Sequence, residues 1–348
     1  MRRRSTASWD ESDARSRPPR RGTRPRTKDR PAHDDAVTGW VLTIDRGRYT
    51  CLVPAPPHTA GSTGDRQPGS VEVVAMRARA LRPGDVAVGD RVGLVGDTSG
   101  ATDSLARLVR VEERTSTLRR SADDADPVER VVVANADQLC LVVAAADPEP
   151  NPRLVDRALV AAWDAGVDPL LVVTKTDLAD PAPVVDAYAA LGVSVLGVSK
   201  VDWRGLDGVR SALAGRTTAL VGPSGVGKST LVNELSPGAY RAVSDVSGTT
   251  GKGRHTSTSA VLLPLRTGGW AVDTPGIRSF GLAHVEPDRL LRAFPDLAPG
   301  TDECPRGCSH DEAECGLDDW VGEGNSTPAR LESFRRLLGA LRAAADTW

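Results

Sequence analysis

The chain has 348 residues, with 44 Lys and Arg against 46 Asp and Glu; 40% of its residues are hydrophobic and 26% charged. That composition belongs to a soluble globular protein of roughly two or three domains and excludes a wholly disordered chain. The formal net charge of −2 conceals a split: residues 1–30 hold eleven basic and four acidic side chains, and the remainder is acidic, a pattern that points to a polyanionic partner such as nucleic acid.

Residues 1–35 are rich in Arg, Pro and Ser and nearly free of aliphatics, so they cannot bury enough apolar surface to offset ordering entropy and are expected to be a disordered basic arm. Two readings of the arm stand side by side, a solubilising tail and a phosphate-binding arm with salt-dependent affinity. The arginines after Met1 precede no apolar stretch, and the longest apolar run, Leu139–Ala146, is far short of the ~18 residues that span a bilayer. The cytoplasm is therefore the expected compartment.

Residues 36–115 read as short strands, Gly39–Ile44, Tyr49–Val53, Val71–Arg77, Asp90–Val95 and Leu105–Val111, separated by turn formers such as Asp45-Arg46-Gly47. Five such strands predict a small β-barrel of SH3 or OB type. Its aromatics are few, Trp40 and Tyr49, so a base-stacking surface is not indicated.

Residues 116–282 alternate strand runs with helical stretches. Gln138–Ala144, Pro169–Thr174, Val193–Val198, Thr218–Val221, Val261–Leu265 and Trp270–Val272 read as strands, with Arg153–Ala165 and Pro183–Leu191 as helices. This predicts a doubly wound α/β domain with a mostly parallel sheet. Residues 283–348 read as a helical C-terminal module around a cysteine cluster. It closes with Pro328–Ala345, whose Leu331, Phe334, Leu337, Leu338 and Leu341 form an apolar stripe suited to packing.

Gly222-Pro223-Ser224-Gly225-Val226-Gly227-Lys228-Ser229 matches GxxxxGK[ST] between a strand and the helix that starts at Thr230. Its glycines let backbone N–H groups curl around phosphates; Lys228 is expected at the β- and γ-phosphates and the Ser229 hydroxyl on Mg²⁺. Asp273-Thr274-Pro275-Gly276 follows a short apolar strand, placing Asp273 as the second Mg²⁺ contact and the Gly276 N–H at the γ-phosphate. Thr174-Lys175-Thr176-Asp177 ends another strand. A carboxylate there accepts from N1–H and the exocyclic amine of guanine and rejects adenine, while Lys175 lays its stem along the base. Only five lysines accompany 39 arginines, and two of the five fall in these motifs. Ser199 completes the expected nucleotide set.

These motifs resemble those of translational GTPases in a rearranged order, the base motif preceding the phosphate loop. That order is a circular permutation, which preserves the sheet if the old termini were neighbours. With an N-terminal barrel and a C-terminal Cys/His module, residues 37 to 345 resemble the ribosome small-subunit-dependent GTPase A family (RsgA, or YjeQ). Arg114–Arg120, Ala134–Gln138 and Gly253–Thr258 carry further likeness. The resemblance implies an OB-fold barrel, a role in late maturation of the small ribosomal subunit and its rRNA, and GTP hydrolysis stimulated by that subunit. It also implies His255 as a helper in positioning water and Thr256 as the switch threonine on Mg²⁺, with Thr249, Thr250 and Thr258 as competitors.

Three features qualify the resemblance. Thr174 stands where Asn is usual. Gly276 is followed by Ile277, not the glutamine that orients water in Ras-like enzymes, so slow intrinsic turnover is expected. Cys304, Cys308, His310 and Cys315 offer three thiolates and an imidazole, a closed set for one structural zinc, at spacings about one residue tighter than the family's. An odd cysteine count with three bunched favours metal over a disulfide framework; Cys51 and Cys140 read as core residues.

The reading is a monomeric GTPase that takes GTP/GDP, Mg²⁺ and one zinc, binds the small subunit and leaves on hydrolysis. Two alternatives compete: a non-hydrolysing nucleotide-dependent RNA-binding scaffold, which the missing glutamine permits, and a guanylate-kinase-like phosphotransferase, which shares the phosphate loop but has no use for the other two motifs.

Overall fold

The computed structural model describes residues 33–54, 69–121, 129–237, 260–274, 285 and 287–345. Nearly all of the basic arm lies outside them, as do Thr249, Thr250, His255, Thr256, Thr258, Gly276 and Ile277. Two compact units divide the chain, Met1–Asp34 and Asp35–Trp348; every element below belongs to the second.

Strands β1 (Val37–Asp45), β2 (Arg48–Pro54), β3 (Ser70–Arg77), β4 (Arg91–Gly96) and β5 (Ala106–Val111) form the barrel. Its order is β1-β2-β3-β5-β4 and back to β1, antiparallel except at β3–β5. This is the five-stranded OB closure. Strand alternation fills it: Tyr49, Cys51 and Val53 of β2 meet Val73 and Ala75 of β3 and Leu108 of β5. A bulge between Val41 and Thr43 bends β1, the device by which one strand serves two neighbours at a barrel seam.

A hairpin that was not expected follows, β6 (Thr117–Ser121) with β7 (Glu129–Ala134). Arg120 lies opposite Arg130 in its ladder. Like charges facing each other oppose pairing, and β6 carries no clean strand signal, although Val131-Val132-Val133 of β7 is a β-branched run. The joint between barrel and hairpin is specific. Asn135 donates its amide to the Gly89 carbonyl at 3.0 Å and accepts the Thr115 N–H at 2.9 Å. Ser116 donates to the Ala136 carbonyl at 2.6 Å. Arg114 pairs at 2.7 Å with Asp90, which is fully buried.

The α/β region holds β8 (Gln138–Ala144), β9 (Asp168–Thr174), β10 (Ser194–Gly197), β11 (Thr217–Val221), β12 (Val261–Pro264) and β13 (Trp270–Asp273). Their order is β10-β9-β8-β11-β13-β12, parallel except for β12. The outer edge of β12 meets β1 at Val261 and Thr43, so barrel and α/β strands form one eleven-stranded sheet.

Every residue of β8 is buried. Leu139, Leu141 and Val143 enter one core with α1 (Pro152–Asp164) and α2 (Ala182–Ala189). Cys140, Val142 and Ala144 enter the other with α3 (Leu206–Leu213) and α4 (Lys228–Leu235). Helices on both faces make the doubly wound architecture expected from the alternation. Asn151 caps α1 by accepting the Arg153 and Leu154 N–H groups, with Pro152 in the first turn, a standard helix start.

The C-terminal elements are α5 (Pro287–Leu291), a 3₁₀ turn Ala298–Glu303, α6 (Gly316–Gly322) and α7 (Pro328–Ala345). Leu331, Phe334, Leu337, Leu338 and Leu341 of α7 are all buried in the α1-side core, so the stripe is packing. Arg330 reaches back from α7 to the Ala190 carbonyl at 3.0 Å and stacks 4.5 Å over Phe294. Arg336 pairs with Asp156 of α1 at 3.2 Å; burial pushes the Asp156 carboxyl up and this guanidinium pulls it back. Among the described residues no helix is long and apolar enough to cross a membrane.

Candidate nucleotide site and metal centre

The strand order reverses between β8 and β11, whose successors run outward in opposite directions. The carboxyl ends of strands at such a switch point open the crevice where ligands bind in doubly wound sheets. Here the phosphate-loop sequence connects β11 to α4.

Two glycine positions explain its path. A Cβ at Gly222 would lie 2.5 Å from the Val142 carbonyl oxygen, so only glycine lets the loop leave against β8. Gly227 has φ of +88° as the N-cap of α4, a left-handed conformation that favours glycine. Pro223, Ser224 and Gly225 form the turn between them, with Ser224 and Gly225 exposed and Val226 buried. Ser229 and Thr230 open α4 with exposed side chains.

Lys228 (8% exposed) forms an ion pair with Asp273 (2% exposed) at the end of β13. The phosphate-loop ammonium and the strand-end carboxylate are thus brought together. Thr274 fixes that strand end by donating to the Leu220 carbonyl of β11 at 2.6 Å.

Thr174 ends β9 beside the same loop. Its hydroxyl reaches the Val143 carbonyl at 3.1 Å and the Val226 carbonyl of the phosphate loop. Lys175, at φ +56°, donates its ammonium to the Asp147 carbonyl just past β8. Asp177 is exposed, whereas Ser199 is 1% exposed and accepts the Val201 N–H at 3.1 Å. The described part of the predicted nucleotide set therefore gathers at one end of one sheet, phosphate-type groups on β11–α4 and β13 and base-type groups on β9.

In the C-terminal module the four predicted donors converge. The donor atoms of Cys304, Cys308, His310 and Cys315 all lie within 4.8 Å of one another. Cys304 Sγ is 3.6 Å from His310 Nδ1 and 3.9 Å from Cys315 Sγ, and Cys315 Sγ is 3.9 Å from His310 Nδ1. Thiolates sharing a tetrahedral zinc at about 2.3 Å stand about 3.8 Å apart, so donor chemistry and spacing both fit that ion.

The RsgA GTPase family matches residues 111–283. The small ribosomal subunit biogenesis GTPase RsgA of Gemmatimonas aurantiaca is 39% identical over 261 residues, spanning 74% of this chain and 84% of that protein. The chain belongs to the RsgA GTPase family. YjeQ from Thermotoga maritima superposes with a TM-score of 0.62 at 25% identity, covering 88% of this chain and 98% of that one. YloQ, a circularly permuted GTPase, gives 0.61 at 23% identity over 90% and 98% of the two chains, a likeness of fold.

In this RsgA family member, two side chains support the Cys/His cluster. Arg335 of α7 donates to the His310 carbonyl at 2.8 Å and forks onto Asp318 at 2.9 and 2.6 Å. Glu312 accepts the Ser309 N–H at 2.9 Å and the Cys308 thiol at 3.3 Å. Neither residue was anticipated. Asp147, whose backbone carbonyl accepts the Lys175 ammonium, was not anticipated either; its signal is only its place just after a central strand.

Proposed function

We propose that this protein is a GTP hydrolase that binds the small ribosomal subunit and couples hydrolysis to late subunit maturation and to its own release. The observation that carries the reading is the meeting of the Gly222–Ser229 loop, Asp273 and the Thr174–Asp177 strand end at one switch point. The relative quoted above is named for small ribosomal subunit biogenesis, which supports the choice of partner.

In this reading Asp177 and Lys175 hold guanine, with Ser199 buried behind them. The loop N–H groups, Lys228 and the Gly276 N–H hold the phosphates. Ser229, Asp273 and Thr256 hold Mg²⁺, which supplies charge neutralisation on the β- and γ-oxygens; Thr249, Thr250 and Thr258 compete with Thr256 for that place. His255 positions water. Ile277 offers no polar group for that task, so turnover is slow alone and rises on the subunit. Cys304, Cys308, His310 and Cys315 hold zinc as a closed structural set, leaving no position for catalysis. A cytoplasmic monomer satisfies these roles.

The scaffold alternative keeps binding and drops hydrolysis. Cosedimentation with purified small subunits tests the cycle. Retention with a non-hydrolysable GTP analogue and release with GDP is expected; equal retention in both states contradicts a nucleotide-driven release.

A further inference from the structure

Thr174 is 6% exposed, and a threonine hydroxyl has one proton to give. The two partners in reach, the carbonyls of Val143 and Val226, are both acceptors. The proton is therefore committed to backbone, whichever carbonyl takes it. The side chain also packs under the loop: a Cβ placed on Gly227 would lie 3.8 Å from Thr174 Oγ1 and 3.9 Å from its Cβ. Even the Thr174 carbonyl is engaged, accepting the Ala145 N–H at 2.8 Å.

A guanine whose N1–H and 2-amino group meet Asp177 carries N7 on the opposite edge of the ring. N7 can accept a hydrogen bond, but the hydroxyl proton of Thr174 is already given to a backbone carbonyl. Lys175 is turned to the Asp147 carbonyl.

We propose that this chain reads guanine nucleotides at N1 and the 2-amino group without a hydrogen bond to N7, Thr174 serving as a positioning residue that clamps the phosphate loop to the base strand. The ligand class is then any 2-amino-6-oxopurine nucleotide, with nitrogen or carbon at position 7. The proposal rests on the guanine reading of Asp177 above, and its test separates the two.

The full chain is titrated with GTP, 7-deaza-GTP and ATP against a fluorescent GDP analogue. A hydrogen bond to N7 is worth about tenfold in affinity. GTP and 7-deaza-GTP are expected to bind within about twofold of each other, with ATP weaker by about a hundredfold or more. A tenfold weaker 7-deaza-GTP, with ATP still rejected, overturns the N7 proposal alone. ATP binding as tightly as GTP overturns the guanine reading and the proposal with it. These comparisons need no variant.

Thr174→Val keeps the shape and removes the donor. It is expected to weaken GTP and 7-deaza-GTP by one common factor, about tenfold, and Thr174→Ser to restore both. A Thr174→Val variant that loses affinity for GTP but not for 7-deaza-GTP would place the hydroxyl on the base and overturn the proposal.

Discussion

Asp177 is exposed at the end of β9, three residues beyond the buried Thr174. Its proposed task needs two acceptor oxygens facing two donors of guanine. An asparagine in that place presents one acceptor and one donor, a pattern that suits xanthine, where a carbonyl replaces the 2-amino group. Asp177→Asn is therefore expected to weaken GTP binding by about a hundredfold and to strengthen xanthosine triphosphate binding, because an unmatched polar pair is costly in a closed site. Competition against a fluorescent GDP analogue reads both changes; unchanged preference would remove Asp177 from the base site. The cysteines of the two cores behave differently from such groups. Burial pushes the thiols of Cys51 and Cys140 up to about 12, so they are packing side chains at neutral pH, as their apolar strand context implied.

At the scale of elements, α7 does two jobs along its length. Its apolar face enters the core shared with α1 and α2, while Arg335 holds the Cys/His loop, the candidate zinc site, through the His310 carbonyl and Asp318. Partners just outside a metal's ligands fix ligand orientation, and losing one typically costs about 10- to 100-fold in metal affinity. Arg335→Ala is expected to lower zinc affinity by that factor, measured by competition with a chromophoric chelator. Unchanged affinity would show that the four donors are held without α7.

How much of this was legible followed from what each element depends on. The strand Gln138–Ala144 was readable to the residue because burial on both faces forces a continuous apolar run. The phosphate loop was readable because backbone geometry dictates glycine at Gly222 and Gly227. The hairpin β6–β7 was not predicted: Val131-Val132-Val133 marks β7, but Arg119 and Arg120 break any apolar alternation in β6, whose pairing becomes visible only in the fold. Arg335 was equally silent: an arginine on a helix gives no sign that its fork ends beside a Cys/His cluster.

On the scale of the whole molecule, motif order along the chain foretold the permuted sheet, but the continuity of that sheet with the barrel was hidden. The junction is the pairing of Thr43 with Val261, two β-branched residues with no local mark and over two hundred positions between them. That junction joins the strand following the predicted switch loop to the seam strand of the barrel. The β1–β12 pairing gives the strands of the nucleotide site a backbone route to the barrel surface, a route the proposed cycle of binding and release would use. The charge split at the chain's start adds an accessory to this account; the case for an RNA-rich partner rests on the family and the site.

The central claim is hydrolysis of GTP that depends on the small ribosomal subunit. Phosphate release from GTP and from ATP, measured for the protein alone, with purified small subunits and with large subunits, tests it most directly. The account predicts slow release from GTP alone, a marked rise with small subunits only, and no comparable turnover of ATP. Equal rates under all three conditions, or a preference for ATP, would contradict it.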